Sequence, residues 1–156
     1  MTEPKADNPG VITFPPLLSG GTLVVGLILQ WLFPRHPFPP EPARLAGWLL
    51  TAAGILLIAW GATTMRRAGT KINPAEPSVV LVTDGPFRWS RNPLYLANVI
   101  LYIGITLLFN ALWPFLLLIP LIALLEWGVI RREERYLLAK FGEPYRAYCG
   151  RVRRWV

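Results

Sequence analysis

One cysteine and one histidine in 156 residues rule out much of the usual catalytic chemistry. A lone Cys149 excludes an intrachain disulfide framework and any all-cysteine metal site, and it reads as an inert thiol near the surface. His36 sits in the proline-rich stretch Pro34-Arg35-His36-Pro37-Phe38-Pro39-Pro40, so a histidine-based metal centre or triad has nothing to build on. Charge is also scarce: 16% of residues are charged, and nine acidic residues face sixteen basic ones. No Gly-x-Gly-x-x-Gly dinucleotide fingerprint is present. What the chain has instead is apolar surface: 53% of residues are hydrophobic and the mean hydropathy is +0.41, values rare in a soluble domain of this length.

Long uncharged runs cover about 17–33, 45–65, 94–109 and 112–130. Crossing about 30 Å of hydrocarbon takes about 20 helical residues, so the second and fourth runs are comfortable and the third is short. The third and fourth form a tight hairpin whose tip, Asn110-Ala111 followed by Trp113-Pro114, carries no charge and an interfacial tryptophan. The first run lacks a basic start and a clear small-residue cleavage site, so it reads as a retained span and not as a signal peptide. The expected fold is an all-α integral membrane protein, one domain over 1–156, with about four transmembrane helices and a cytosolic C-terminal helical segment.

Orientation follows from the basic residues. Five lie between the second and third runs (Arg66, Arg67, Lys71, Arg88, Arg91) and eight follow the fourth (Arg131, Arg132, Arg135, Lys140, Arg146, Arg151, Arg153, Arg154), whereas the Pro34–Pro40 side holds only Arg35 and Arg44. The positive-inside rule makes the first two regions, both termini and any site they form cytosolic, as in a bacterial inner membrane. Topology signals and anionic lipid account for most of the net charge of +7, and the chain has no soluble basic domain to offer nucleic acid.

Two polar clusters abut the last hairpin: Gly85-Pro86-Phe87-Arg88-Trp89-Ser90-Arg91-Asn92-Pro93-Leu94-Tyr95 before it and Arg131-Arg132-Glu133-Glu134 behind it. The loop that carries the first cluster, Arg66–Asn92, is 27 residues long, and connectors of that size are usually functional or disordered. It includes a β-prone run, Val79–Thr83, and a turn at Asp84-Gly85-Pro86, where a glycine lets backbone approach a ligand closely. Asn92-Pro93 equally suits a plain helix start, with Asn as N-cap and Pro first. The second cluster has a bland reading as a solvated helix. Against it, Glu126 lies inside the fourth run, and residues 126, 130, 133 and 134 share one helical face. Ionisable residues in a span face a protein interior or a watery cavity, so that face is expected to line something polar.

Gly85-Pro86-Phe87, Ser90-Arg91-Asn92-Pro93-Leu94-Tyr95, a hairpin, Glu133-Glu134 and then Phe141-Gly142-Glu143-Pro144-Tyr145-Arg146-Ala147-Tyr148 together resemble the integral-membrane methyltransferases that include isoprenylcysteine carboxyl methyltransferase and the phospholipid methyltransferases. The resemblance covers about residues 68–155. It implies an S-adenosylmethionine site on the cytosolic face, built from segments 79–95 and 126–155. Gly85, Pro86, Arg91, Asn92, Pro93, Tyr95, Glu133 and Glu134 are the cofactor-binding candidates, with Tyr145 and Tyr148 closing the pocket. Asn92 stands where many members carry histidine; it hydrogen-bonds but does not titrate near neutrality. The tail reads Val152-Arg153-Arg154-Trp155 where Val-Pro-Arg is common.

Methyl transfer from a sulfonium is an in-line displacement that depends on alignment in a dry pocket and needs no metal. A carboxylate of Glu133 or Glu134 suits the cofactor's ammonium, and an aromatic face suits its sulfonium. Arg91, Arg131 and Arg132 suit the orientation of an acceptor carboxylate, while Glu126, Glu133 and Glu134, unranked among themselves, are the acids that a proton-bearing acceptor would call on. The acceptor is expected to be an amphiphile, lipid or prenylated, whose tail stays in the bilayer. The crowd of arginines puts carboxyl O-methylation of an isoprenylcysteine-like or other lipophilic acid first. Phosphatidylethanolamine N-methylation comes second, since the same arginines would bind its phosphate. A sterol-reductase-like enzyme using NADPH and a non-catalytic membrane subunit are the rivals from other classes. The Gly and Ala content of Leu45–Gly61 suits helix packing under any of them, including dimerisation.

Overall fold

The computed structural model describes residue 10, residues 14–73 and residues 76–156, and among these every regular element is helical. Six α-helices follow in order: α1 (Pro15–Leu32), α2 (Pro40–Arg67), α3 (Pro93–Leu108), α4 (Leu112–Leu125), α5 (Arg131–Phe141) and α6 (Glu143–Arg151). A 3-10 turn at Gly85–Arg88 precedes α3, and a π-helical turn at Glu126–Ile130 joins α4 to α5. Proline starts α1, α2 and α3, where its missing N–H costs nothing and its fixed φ suits a first helical turn.

The apolar runs of the sequence are these helices, with one extension. The fourth does not stop at Ile130: the helix Leu112–Phe141 runs on through the π turn into the charged α5, and its apolar part is long enough to cross a membrane, as are α1 and α2, while α3 is shorter. The bundle's outer surface is apolar, with Leu17 and Leu56 each 69% exposed and Ile119 73% exposed. A contiguous greasy girdle of this kind is what lipid covers.

Packing between α2 and α3 rests on missing side chains. Gly47, Gly54 and Gly61 recur every seventh residue on α2 and face Leu108, Leu101 and Leu94, which recur every seventh residue on antiparallel α3. A Cβ on Gly54 would stand 2.9 Å from the Leu101 amide nitrogen, and one on Gly104 of α3 would stand 2.6 Å from that of Thr51. Backbones approach this closely only where side chains are absent. Elsewhere Val99, Tyr102, Leu118, Leu121 and Leu125 make the α3–α4 core, against which α1 packs.

The two ends of the bundle differ. At one, Asn110, with φ +45, clasps the α1–α2 connector: its amide nitrogen donates to the Phe38 carbonyl at 2.8 Å and its Oδ1 accepts from the Phe38 N–H at 3.1 Å. Trp113 Nε1 donates to the Phe33 carbonyl at 2.7 Å. At the other end the connector after α2 meets α5 and α6. Val79–Thr83, expected to be β-prone, forms no strand; with no partner strand beside it, a lone extended segment has no ladder to join.

Candidate functional site

Two cavities meet at the α5–α6 end, and Arg91 belongs to the wall of both. The first, of about 470 Å³, is mostly apolar and is walled by α1, α2 and α3, following α3 from Pro93 to Ile105. That is roughly 18 Å at the rise of an α-helix. Its polar members include Tyr95, Asn98 and Glu133. The second, of about 690 Å³, is an open polar cleft between α5 and α6, lined by Arg91, Arg131, Glu134, Arg135, Tyr145 and Arg154 among others.

The tandem acids are divided between them. Glu134 turns to the polar cleft, where Arg91 lies 3.3 Å away and Arg154 Nη2 2.6 Å away. Glu133 turns to the apolar cavity and accepts a 2.6 Å hydrogen bond from the Tyr95 hydroxyl. Glu126, in the π turn, accepts from Arg154 Nη1 at 2.6 Å, Arg131 Nε at 3.0 Å and Trp155 Nε1 at 3.3 Å. The face expected to line one polar space is thus split three ways: Ile130 is fully buried in the core and the three carboxylates serve different partners. The π turn, a feature common at functional sites, supplies the extra residue that shifts the register.

The Ser-Arg-Asn-Pro segment is fastened by the C-terminal tail. The Arg91 N–H donates to the Arg153 carbonyl at 2.9 Å, and Asn92 Nδ2 and Ser90 Oγ donate to the Arg154 carbonyl at 3.0 and 3.2 Å. Asn92 stands at the N-cap position of α3 with Pro93 following, yet its side chain makes no cap and is spent on the tail.

Among the other expected site residues, Gly85, Pro86, Tyr148 and Arg132 line neither cavity. Gly85 has φ +58, and a Cβ there would meet Thr64 Oγ1 at 2.7 Å, so the glycine lets the 3-10 turn press on the end of α2. Tyr148 is buried and donates to the Phe87 carbonyl at 2.7 Å, while Arg132 Nη1 donates to the Gly10 carbonyl at 3.0 Å. Burial pushes the phenols of Tyr145 and Tyr148 up, Tyr145 further because Glu134 is beside it, so both stay neutral donors. The hydrogen bond to Glu134 does most to raise the Arg154 guanidinium above its ordinary value.

Sequence reasoning missed Arg154, Trp155 and Asn98. A signal existed for the first: a carboxylate such as Glu126 at the end of an apolar run requires a cation, and the tail is where arginines are plentiful. Nothing local marks Asn98, whose Nδ2 donates to Ser19 Oγ at 2.5 Å across α1 and α3.

The sequence model of the phospholipid methyltransferase family matches residues 43–144, about two thirds of the chain. The protein belongs to this family. The match takes in most of α2, the 3-10 turn, the hairpin and both tandem acids, the segments that build the shared wall at Arg91. An uncharacterized protein of Haemophilus influenzae Rd is 36% identical over 63 residues, which is all of that protein and 40% of this chain. Helix α1 and the Arg154-Trp155 tail lie outside the family match, so this phospholipid methyltransferase family member walls part of its apolar cavity, and fastens its Ser-Arg-Asn-Pro segment, with residues beyond it.

Proposed function

We propose that the protein is an integral-membrane methyltransferase that uses S-adenosylmethionine to methylate the head of an amphiphilic acceptor at the cytosolic membrane surface. The observation that carries the reading is the shared wall: Arg91 joins a polar cleft suited to a zwitterionic cofactor to an apolar cavity suited to a lipid tail.

The donor set of the cleft fits the cofactor. Glu134 offers a carboxylate for an ammonium, Arg131 and Arg135 offer guanidinium groups for a carboxylate, and Tyr145 offers a buried ring with a neutral hydroxyl. When bound, S-adenosylmethionine supplies a methyl group on a sulfonium, an electrophile that needs alignment more than activation. Arg91, locked by its backbone to the tail and by its side chain to Glu134, fixes the wall where head group and cofactor meet. The apolar cavity keeps that junction dry, and its length along α3 accommodates an acyl or prenyl chain.

Calorimetric titration of the detergent-solubilised protein with S-adenosylhomocysteine tests this. Affinity on the order of micromolar is expected, with none for NADPH, and Glu134→Ala is expected to abolish it. A folded wild-type sample that binds NADPH and no S-adenosylhomocysteine would instead support the reductase-like alternative.

A further inference from the structure

Asn98 lies about one turn deeper along α3 than Tyr95, on the same face, and lines the apolar cavity together with Ser19 of α1. Its Nδ2 donates to Ser19 Oγ at 2.5 Å. The serine's only hydroxyl proton goes to the Pro15 carbonyl at 3.2 Å, so Ser19 can do nothing but accept from Asn98. That fixes the amide, with its nitrogen on the serine and Oδ1 turned away. Among the described residues neither Oδ1 nor the second N–H of Nδ2 has a hydrogen-bond partner, and Oδ1 stays accessible. The other hydroxyl protons of that wall are spent, Tyr95's on Glu133 at 2.6 Å and Tyr102's on the Pro114 carbonyl at 2.9 Å. A bond that ties two helices together in hydrocarbon needs one donor and one acceptor. Asn98 brings a further donor and a further acceptor, and an amide turned to an apolar space without partners is costly. That surplus matches a hydroxyl, which accepts from the N–H and donates to the carbonyl oxygen.

The geometry points to a second recognition point inside the apolar cavity: Asn98, positioned by Ser19, binds a hydroxyl carried within the tail of the acceptor. This rests on the methyltransferase reading above, in which that cavity takes the tail, and it leaves the chemistry of the head open. The cavity follows α3 from Pro93 to Ile105, and Asn98 sits roughly 7.5 Å in by helical rise, a little under halfway. A saturated chain passes this point and leaves the amide unpaired, whereas a chain hydroxylated at that depth pairs it. A site that offers hydrogen bonds to a hydroxyl discriminates strongly against the analogue that lacks one, because its own polar groups are then stranded. Ser19 belongs to α1, outside the family match, so the pair is completed by a residue that the matched segments do not supply.

The test uses the full chain in phosphatidylcholine nanodiscs and probes that share one head group: dodecanoate and its alcohols at the second, sixth and last carbons, with uptake by empty nanodiscs subtracted. The sixth-carbon alcohol, whose hydroxyl matches the depth of Asn98, is expected to bind at least about tenfold more tightly than the other three. A ketone at the sixth carbon accepts without donating and is expected to bind at least about threefold more weakly than that alcohol. Asn98→Leu is expected to abolish the preference while S-adenosylhomocysteine affinity stays within about twofold of wild type, and Asn98→Ala serves if leucine does not fit. Ser19→Ala breaks the latch, leaves the amide in the cavity and is expected to keep the sixth-carbon alcohol first. The proposal is overturned if the wild type binds the alcohols alike, if the ketone equals the alcohol, or if the preference survives both Asn98 variants. It is also overturned if Ser19→Ala abolishes the preference as completely as Asn98→Leu, or if both Asn98 variants lose S-adenosylhomocysteine as well. Failure of the wild type to bind S-adenosylhomocysteine sinks the methyltransferase reading instead, and the alcohols still report on Asn98.

Discussion

Arg154 grips Glu134 with a fork: Nη2 lies 2.6 Å from Oε2 and Nε 3.1 Å from Oε1. Its remaining nitrogen, Nη1, reaches Glu126 at 2.6 Å, so one side chain spans the π turn and locks the rotation of α5 against α4. The same residue's carbonyl holds Ser90 and Asn92. Arg154→Ala is expected to destabilise the protein by about 1.5–3 kcal/mol, toward the low end because the side chain is partly in solvent. Arg154→Lys is expected to recover little, since a point charge cannot make the fork. Denaturant unfolding in detergent followed by tryptophan fluorescence measures both.

The buried phenols set an alkaline limit. With folded-state values of Tyr145 and Tyr148 raised above the ordinary 10.0, chiefly by burial, the folded protein holds these protons more tightly than the unfolded chain. Their contribution is therefore complete below the ordinary value and is lost progressively as pH rises from it toward the raised folded-state values. Thermal midpoints are expected to be flat up to about pH 9 and to fall beyond, and a Tyr145→Phe, Tyr148→Phe double variant is expected to flatten the fall. At neutral pH, Tyr148→Phe alone forfeits the bond to the Phe87 carbonyl, about 1 kcal/mol.

The helices were legible because hydrocarbon demands uncharged runs, and the runs mark α1 to α4 within a few residues. A helix continuing past Ile130 was among the readings of Arg131-Arg132-Glu133-Glu134; the π turn at Glu126–Ile130 that re-aims it was not legible, because its partners are unseen in the sequence. Those partners are distant in sequence: Tyr95 for Glu133, Arg91 and Arg154 for Glu134. Residue type announced a site at both clusters, and only tertiary placement could divide the tandem acids between two cavities. Gly85 shows the same limit in small, since its positive φ answers a local demand for glycine while the reason lies in Thr64, on another helix.

The glycine seam predicts steric sensitivity independent of charge. Gly54→Ala and Gly104→Ala each drive a Cβ against backbone atoms that cannot yield, at 2.9 and 2.6 Å. Overpacking of this kind costs about 1–3 kcal/mol, and the folded fraction recovered in detergent, read by size-exclusion chromatography, is expected to drop for both. Gly21→Ala, on α1 with nothing within 4 Å of the added carbon, is the control expected to behave as wild type.

Asn110 should be the residue on which the opposite end depends. It adopts φ +45, costly for most side chains, and in return its amide closes both polar groups of Phe38 while its carbonyl accepts from His36 Nδ1 at 3.1 Å. Asn110→Gly relieves the backbone and loses the side-chain bonds; Asn110→Ala loses the bonds and keeps the strain. Asn110→Ala is therefore expected to be the less stable by about 1 kcal/mol, with both below wild type, as read from urea unfolding midpoints. Since the α3–α4 turn lies at the end away from the polar cleft, S-adenosylhomocysteine affinity of the folded fraction is expected to match wild type in each variant. A parallel loss of affinity would show that the two ends of the bundle are coupled through α3, the helix that runs from Asn110 to the cavity shared with Arg91.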